Sequence, residues 1–184
     1  QANTTGIYNT ANGREGLYSN TTGHSNVANG YRALYYNTTG VNNTANGVRT
    51  LQNNTANNNT ASGYEALKNS ITGTDNTANG YQALLANTAG AGNTANGCQA
   101  LKSNTTGGNN TANGYTALLN NSSGNHNTAT GYNALRLNTA GNFNTANGIN
   151  ALQNNITGSN NTAIGWGTNV SSGALTNATA IGNG

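Results

Sequence analysis

The phrase Asn-Thr-Ala-Asn-Gly opens a register that restarts at Asn9, Asn26, Asn43, Asn59, Asn76, Asn93, Asn110, Asn127, Asn144 and Asn161. Each step is 17 residues except Asn43 to Asn59, which is 16. Self-similarity at a short fixed period marks a solenoid or array, in which each unit buries its faces only against its neighbours. The period therefore divides residues 1–184 into a partial repeat (1–8), nine regular coils (9–160) and a C-terminal stretch of altered units (161–184). Because the chain starts and stops within a unit, a piece of a longer array is expected.

Composition sharpens this into a choice. Apolar residues make up 33% and charged residues 5% of the chain, against roughly 45–50% and about 25% in ordinary domains. Such poverty in hydrophobic residues usually means disorder. Disordered tracts have no reason to hold register, however, and here glycine returns in the fifth position of every unit: Gly13, Gly30, Gly47, Gly63, Gly80, Gly97, Gly114, Gly131, Gly148 and Gly165. Those glycines read as turn residues with positive φ, following Asn in a tight corner. A Thr-Thr-Gly step at positions thirteen to fifteen reads as a second turn. Positions sixteen and seventeen vary freely, and the single deletion is placed there, as in a surface loop.

Stacking the units on one another separates inside from outside. The ninth position is leucine in nine units (Leu17, Leu34, Leu51, Leu67, Leu84, Leu101, Leu118, Leu135 and Leu152) and is assigned to the core. The sixth holds Tyr31, Tyr64, Tyr81, Tyr115, Tyr132 and Trp166, alternating with Val48, Cys98 and Ile149. It is assigned to the core as well, with Cys98 as a buried spacer. The seventh position, from Glu15 and Arg32 to Asn150, reads as a solvent face, and the tenth as a rim of long side chains. With no room for a helix between the glycines and asparagines, the fold class is all-β. The expected architecture is a β-solenoid of about ten stacked 17-residue coils, each with two or three short strands. Coils one strand spacing apart, about 4.8 Å, make a rod on the order of 50 Å long. Asparagines at positions one, four and twelve would then stack on their equivalents and share amide hydrogen bonds along the axis. One leucine and one aromatic per coil leave two ways to complete the burial. Either the coil is narrow, lined by alanine and threonine, or neighbouring chains supply the rest.

Asn161-Thr162-Ala163-Ile164-Gly165 and, 17 residues on, Ala178-Thr179-Ala180-Ile181-Gly182 resemble the head repeats of trimeric autotransporter adhesins. Units such as Asn76-Thr77-Ala78-Asn79-Gly80-Tyr81-Gln82-Ala83-Leu84 are similar to arrays in large bacterial surface proteins and tail-fibre-like proteins. The resemblance implies a left-handed parallel β-roll, a parallel homotrimer and a place outside the cell, on a surface appendage or a virion fibre. The unit is longer than the adhesin-head repeat, and most units carry Asn where that family has Ile.

Little in the chain points to chemistry. His24 and His126 fall six coils apart, about 29 Å, and Glu15 and Glu65 three coils apart, about 14 Å, by the strand spacing. Neither pair can share a metal or a proton, Asp75 stands alone, and no cofactor or metal site is expected. Six Lys or Arg against three Asp or Glu give a net charge of +3, spread too thinly for a nucleic-acid footprint. No apolar run is long enough for a membrane span. Asn-x-Thr/Ser sequons at Asn20, Asn37, Asn104, Asn121, Asn155 and Asn177 are candidate glycosylation sites.

The expectation is a non-catalytic structural or adhesive fibre segment that associates with copies of itself, as a homotrimer or end to end. One alternative is a lateral carbohydrate- or surface-binding module using rim aromatics such as Tyr18, Tyr35 and Tyr36 against surface glycans. A second is ice binding through the threonine column that runs from Thr10 to Thr162, provided those side chains face outward.

Overall fold

In the computed structural model, residues 3–184 are described, and eleven three-residue strands stack in one parallel sheet. They run from β1 (Thr10–Asn12) to β11 (Thr179–Ile181), in strict sequence order. Equivalent residues pair: Thr77 with Thr94, Ala78 with Ala95, Asn79 with Asn96. The chain is a β-solenoid in which each coil lies on the one before it.

Each coil has a single strand, at positions two to four, where two or three were expected. The remaining positions turn the corners, yet their backbone still bonds along the axis. Gln82 donates its N–H to the Tyr64 carbonyl, Leu84 to Ala100, Ala86 to Lys102, Thr88 to Thr105, and Gly92 to Thr74. Hydrogen bonding thus runs round the whole coil, although only three residues per turn are extended. Positions six to nine form a tight bend instead of a further strand, with left-handed backbone at positions seven and nine (Gln82 φ 53, Leu84 φ 52). Position seventeen is left-handed as well, and residues that tolerate that region (Asn42, Asn58, Asp75, Gly92, Asn109, Asn160 and Asn177) outnumber Ser25, His126 and Phe143 there.

The turn glycines at position five have φ between 125 and 143. That region is essentially closed to residues with a side chain. A Cβ on any of the ten, from Gly13 to Gly165, would also press on the backbone of the glycine one coil further on. Their assignment from sequence is therefore correct, and the requirement is both conformational and steric.

The core is narrow and closed by the single chain. Leucines from Leu34 to Leu152 and the position-three and position-eight alanines from Ala28 to Ala163 have no exposed surface. The rest of the interior is mainly asparagine, with threonine a minor part. Asn26, Asn43, Asn59, Asn76, Asn93, Asn110, Asn127, Asn144 and Asn161 (position one) and Asn37, Asn54, Asn87, Asn104, Asn121 and Asn138 (position twelve) are fully buried. Most position-one amides are saturated; Asn43, Asn144 and Asn161 each accept a single bond at Oδ1. Asn93 Nδ2 donates to Asn76 Oδ1 (3.2 Å) and to the Gly107 carbonyl of its own coil (2.8 Å). Asn93 Oδ1 in turn accepts from the backbone and side chain of Asn110 (3.0 and 3.1 Å). Two donors and two lone pairs are all used, which removes the desolvation penalty of a buried amide.

The Gly107 carbonyl accepts a second bond, from Asn104 Nδ2 at 2.9 Å, so the two buried files converge on one inward-turned carbonyl. That favours glycine at position fifteen in the regular coils: a Cβ on Gly107 would strike the Gly124 carbonyl oxygen and the Asn104 amide.

The short coil corrects the placement of the deletion. Asn43 and Asn54 both donate to the Ala56 carbonyl, so Ala56 stands at position fifteen and the missing residue is at thirteen or fourteen. Asn57 and Asn58 keep the places assigned to the deletion, Asn58 with the left-handed backbone of position seventeen. The omission leaves a flaw, because Asn37 Oδ1 is buried without a hydrogen-bond partner. One unit later Ser70 replaces Asn at position twelve, and Asn59 turns its amide to Asn54 Oδ1 (3.0 Å) instead.

Candidate functional site

With the interior amides largely paired with one another, whatever the molecule contacts is met by its outer files. On the sheet, alanine at position three points inward, so positions two and four point out. At position two, Thr10, Thr60, Thr128, Thr145 and Thr179 are exposed and the other threonines half-buried. Beside them runs an asparagine file in which Asn79 donates to Asn96 and Asn96 to Asn113, each at 2.9 Å. The asparagine stacking expected at positions one, four and twelve is present at all three.

The sixth position is where sequence reasoning erred most. Tyr64, Tyr81, Tyr115, Tyr132 and Trp166 are 41% to 57% exposed, and Tyr31 is half-buried. None belongs to the core; they form an outer apolar file with Val48, Cys98 and Ile149. Their rings stack on one another instead: Tyr64 on Tyr81 with centroids 5.5 Å apart, Tyr115 on Tyr132 at 5.3 Å. The left-handed residue that follows reverses the direction in which side chains project. It turns the polar seventh position partly inward, beneath the aromatic file, where a solvent face was expected.

The seventh file is a ladder of polar pairs, with Glu65 and Thr116 buried. Arg32 Nε donates to Glu15 Oε2 at 2.6 Å, and the Arg32 guanidinium lies 5.1 Å from the ring centres of both Tyr31 and Tyr35. Glu65 receives Lys68 Nζ (2.8 Å), Gln82 Nε2 (3.1 Å) and, more distantly, Arg49 (3.5 Å). The bond from Lys68 is the main reason the Glu65 carboxyl titrates below its ordinary value, against the opposing effect of burial. Arg32 does the same to Glu15. Burial raises the Tyr35 phenol.

Further along, the seventh residue shortens to Thr116 and Asn133, and the ladder becomes Thr116 Oγ1 to Asn133 Oδ1 at 2.5 Å. A surface groove of about 290 Å³ opens there, lined by Gln99, Tyr115, Thr116, Leu119, Tyr132, Asn133 and Arg136.

The sequons divide sharply. Asn20, Asn37, Asn104, Asn121 and Asn155 are buried and bonded in the position-twelve file, so the folded chain offers none of them to a glycosyltransferase. Asn177, at position seventeen, is exposed. The titratable side chains lie on different coils or in ion pairs, and among the described residues no three of His, Cys, Asp and Glu come together. Cys98 is a free, half-buried thiol in the aromatic file. No helix among the described residues is long and apolar enough to cross a membrane.

No family model matches this chain, and no match is found among curated proteins or solved structures.

Proposed function

We propose that this chain is a length-setting segment of an extracellular fibre or stalk, on a cell surface appendage or a virion, with no catalytic role. One observation carries the reading: eleven parallel strands in sequence order, with the hydrogen bonds of every coil directed along the axis. In such a molecule a further unit adds length and changes nothing else. The low charge removes repulsion between coils, and the chain contains no proline to interrupt the axial bonds. The exposed sixth file supports lateral association of parallel copies, including a homotrimer. A second chain with the same coil spacing presents one apolar side chain for each one here.

The test is to insert one 17-residue unit, a copy of 76–92, and measure particle length by small-angle scattering and electron microscopy. A gain of about 4.8 Å per inserted coil at constant cross-section is expected. A compact particle, or no gain, rejects the reading. Sedimentation equilibrium reports the number of chains.

A second reading is favoured by one feature, the outward threonines beside the asparagine file on an eleven-stranded sheet in unbroken register. Regularly spaced hydroxyls on such a face suit an ordered water or ice lattice. Thermal hysteresis that is abolished by Thr94→Tyr, in the middle of the face, supports it; absence of hysteresis rejects it.

A further inference from the structure

Arg32 shows what the space between the sixth and tenth files accepts. Its planar guanidinium sits between Tyr31 of one file and Tyr35 of the other, 5.1 Å from each ring centre, with its charge met by Glu15. In the units beginning at Asn110 and Asn127 the plug is missing. Thr116 and Asn133 are too short to reach between the walls, and the groove stands open.

The charges change at the same place. All three acidic residues lie at or before Asp75, and every ion pair lies between Arg14 and Lys68. From residue 76 onward the chain has one lysine and one arginine, Lys102 and Arg136, and no acidic residue. Both belong to the tenth file, two coils apart, a separation of about 9.6 Å along the rod. Neither has an ionic partner among the described residues.

We infer that this groove binds a linear acidic polysaccharide of the polyuronate type, laid along the rod with its carboxylates on Arg136 and Lys102. The chemistry of each wall fits one part of such a ligand. Arg136 offers paired N–H donors to a carboxylate. Tyr115 and Tyr132 offer aromatic surface to the C–H face of a pyranose ring. One face of Tyr115 has no ring stacked on it, because Cys98 occupies the neighbouring rung. The Asn133 amide and the Gln99 amide supply donors and acceptors for sugar hydroxyls. The two cations are about as far apart as alternate carboxylates in an extended uronate chain. Single-stranded nucleic acid also combines charge with stacking, but two cations neutralise too few phosphates to hold it at moderate salt. The inference does not depend on the fibre reading, since a short isolated rod would carry the same groove.

The experiment is calorimetric titration of the full chain with oligogalacturonates of increasing length, with the neutral methyl-esterified oligomers, and with oligothymidylate. Oligogalacturonate binding is expected, at least about tenfold tighter than that of the neutral oligomer. Arg136→Gln and Tyr132→Ala should each weaken it about tenfold. Lys102→Gln should weaken only oligomers long enough to span two coils. The double change Thr116→Glu with Asn133→Arg should abolish binding by rebuilding the ion pair and plug that Arg32 makes with Glu15, with circular dichroism and melting temperature near those of the parent. The parent arginines at this position, Arg32 and Arg49, share the same left-handed backbone, so the variant is expected to fold. The inference is overturned if oligogalacturonate does not bind, if the charge and plug variants bind like the parent, or if oligothymidylate binds as tightly and is lost with the same variants. Particle length, measured separately, reports on the fibre reading whatever the titration gives.

Discussion

The backbone N–H and the side-chain Nδ2 of Asn93 both donate to Oδ1 of Asn76, at 2.9 and 3.2 Å. Repeated from coil to coil, this relationship replaces the hydrophobic centre that the composition cannot supply. It also transmits register, because an amide accepts from the next coil only if the two lie directly in line.

Removing one link should therefore cost more than its size implies. Asn93→Ala strands the Asn110 backbone N–H and one hydrogen of its amide, both buried. At about 1–3 kcal/mol per stranded group the expected loss is about 2–6 kcal/mol. Urea unfolding of the two proteins measures it, and a loss below about 1 kcal/mol would mean that the files are not structural.

The converse change repairs a break. Ser70 fills position twelve with a hydroxyl that reaches the Gly73 carbonyl (3.1 Å) but not the neighbouring coils. Ser70→Asn would rejoin Asn54 to Asn87 and release Asn59 to bond Asn43 as its counterparts do. A gain of about 1 kcal/mol is expected, seen as a higher denaturation midpoint at unchanged slope.

The stack itself was legible in the sequence because each coil restates it: the glycine spacing gave the period, the leucine file the core and the asparagines the axial bonding. The sidedness of positions six and seven was not. Reading an apolar column as buried assumes alternation along an extended strand, and here Glu65, Gln82 and their equivalents have φ near 55. Left-handed backbone in a Glu, Arg or Gln leaves no mark on composition. A weaker signal was available at position seventeen, where Asn, Asp and Gly predominate. The sequons misled for a related reason. Asn followed by Thr is a surface motif in most proteins, whereas Asn104 and Asn121 are core residues because amides pair along the axis. The groove beside Tyr132 depends on side-chain length at Thr116 and Asn133, and no single unit reveals it.

That correction has a direct measurement. Leu101→Ala opens a void in a fully buried file and should cost about 2–5 kcal/mol. Tyr81→Ala removes a half-exposed ring and one stacking contact, for about 1 kcal/mol or less. Equal losses would return the sixth file to the core.

Two glycines separate steric from conformational need. Gly97, at φ 142, would carry a Cβ against the Gly114 carbonyl, and Gly97→Ala should cost at least about 3 kcal/mol. Gly92, at φ 68, sits in the file otherwise held by Asn and Asp, and its Cβ would meet only the movable end of Asn109. Gly92→Asn restricts the unfolded chain in a backbone region that asparagine accepts, and should raise stability by about 0.4–1 kcal/mol. Paired melting curves in opposite directions are the expected result.

The response to acid follows from Glu65 and Glu15, whose carboxyls are held below the ordinary range chiefly by Lys68 and Arg32. A carboxyl with a depressed folded-state pKa binds protons more readily when unfolded. Its contribution is present above the unfolded value, near 4.3, and is lost as pH falls through the lower folded value. Stability should accordingly be flat from neutral pH down to the upper carboxylate range and decline below it. The decline should be shallow, because only three acidic side chains exist to be protonated. Glu65→Gln keeps an acceptor for Lys68 and Gln82 but removes the titration. In that variant the stability at neutral pH should fall by about 1 kcal/mol or less, as expected of partly solvated pairs, and the remaining acid slope should be reduced. Denaturation midpoints of parent and variant across the acid range, at low salt and at high salt, test this. If the slope is unchanged in Glu65→Gln, the pairing of Glu65 with Lys68 contributes nothing to the fold.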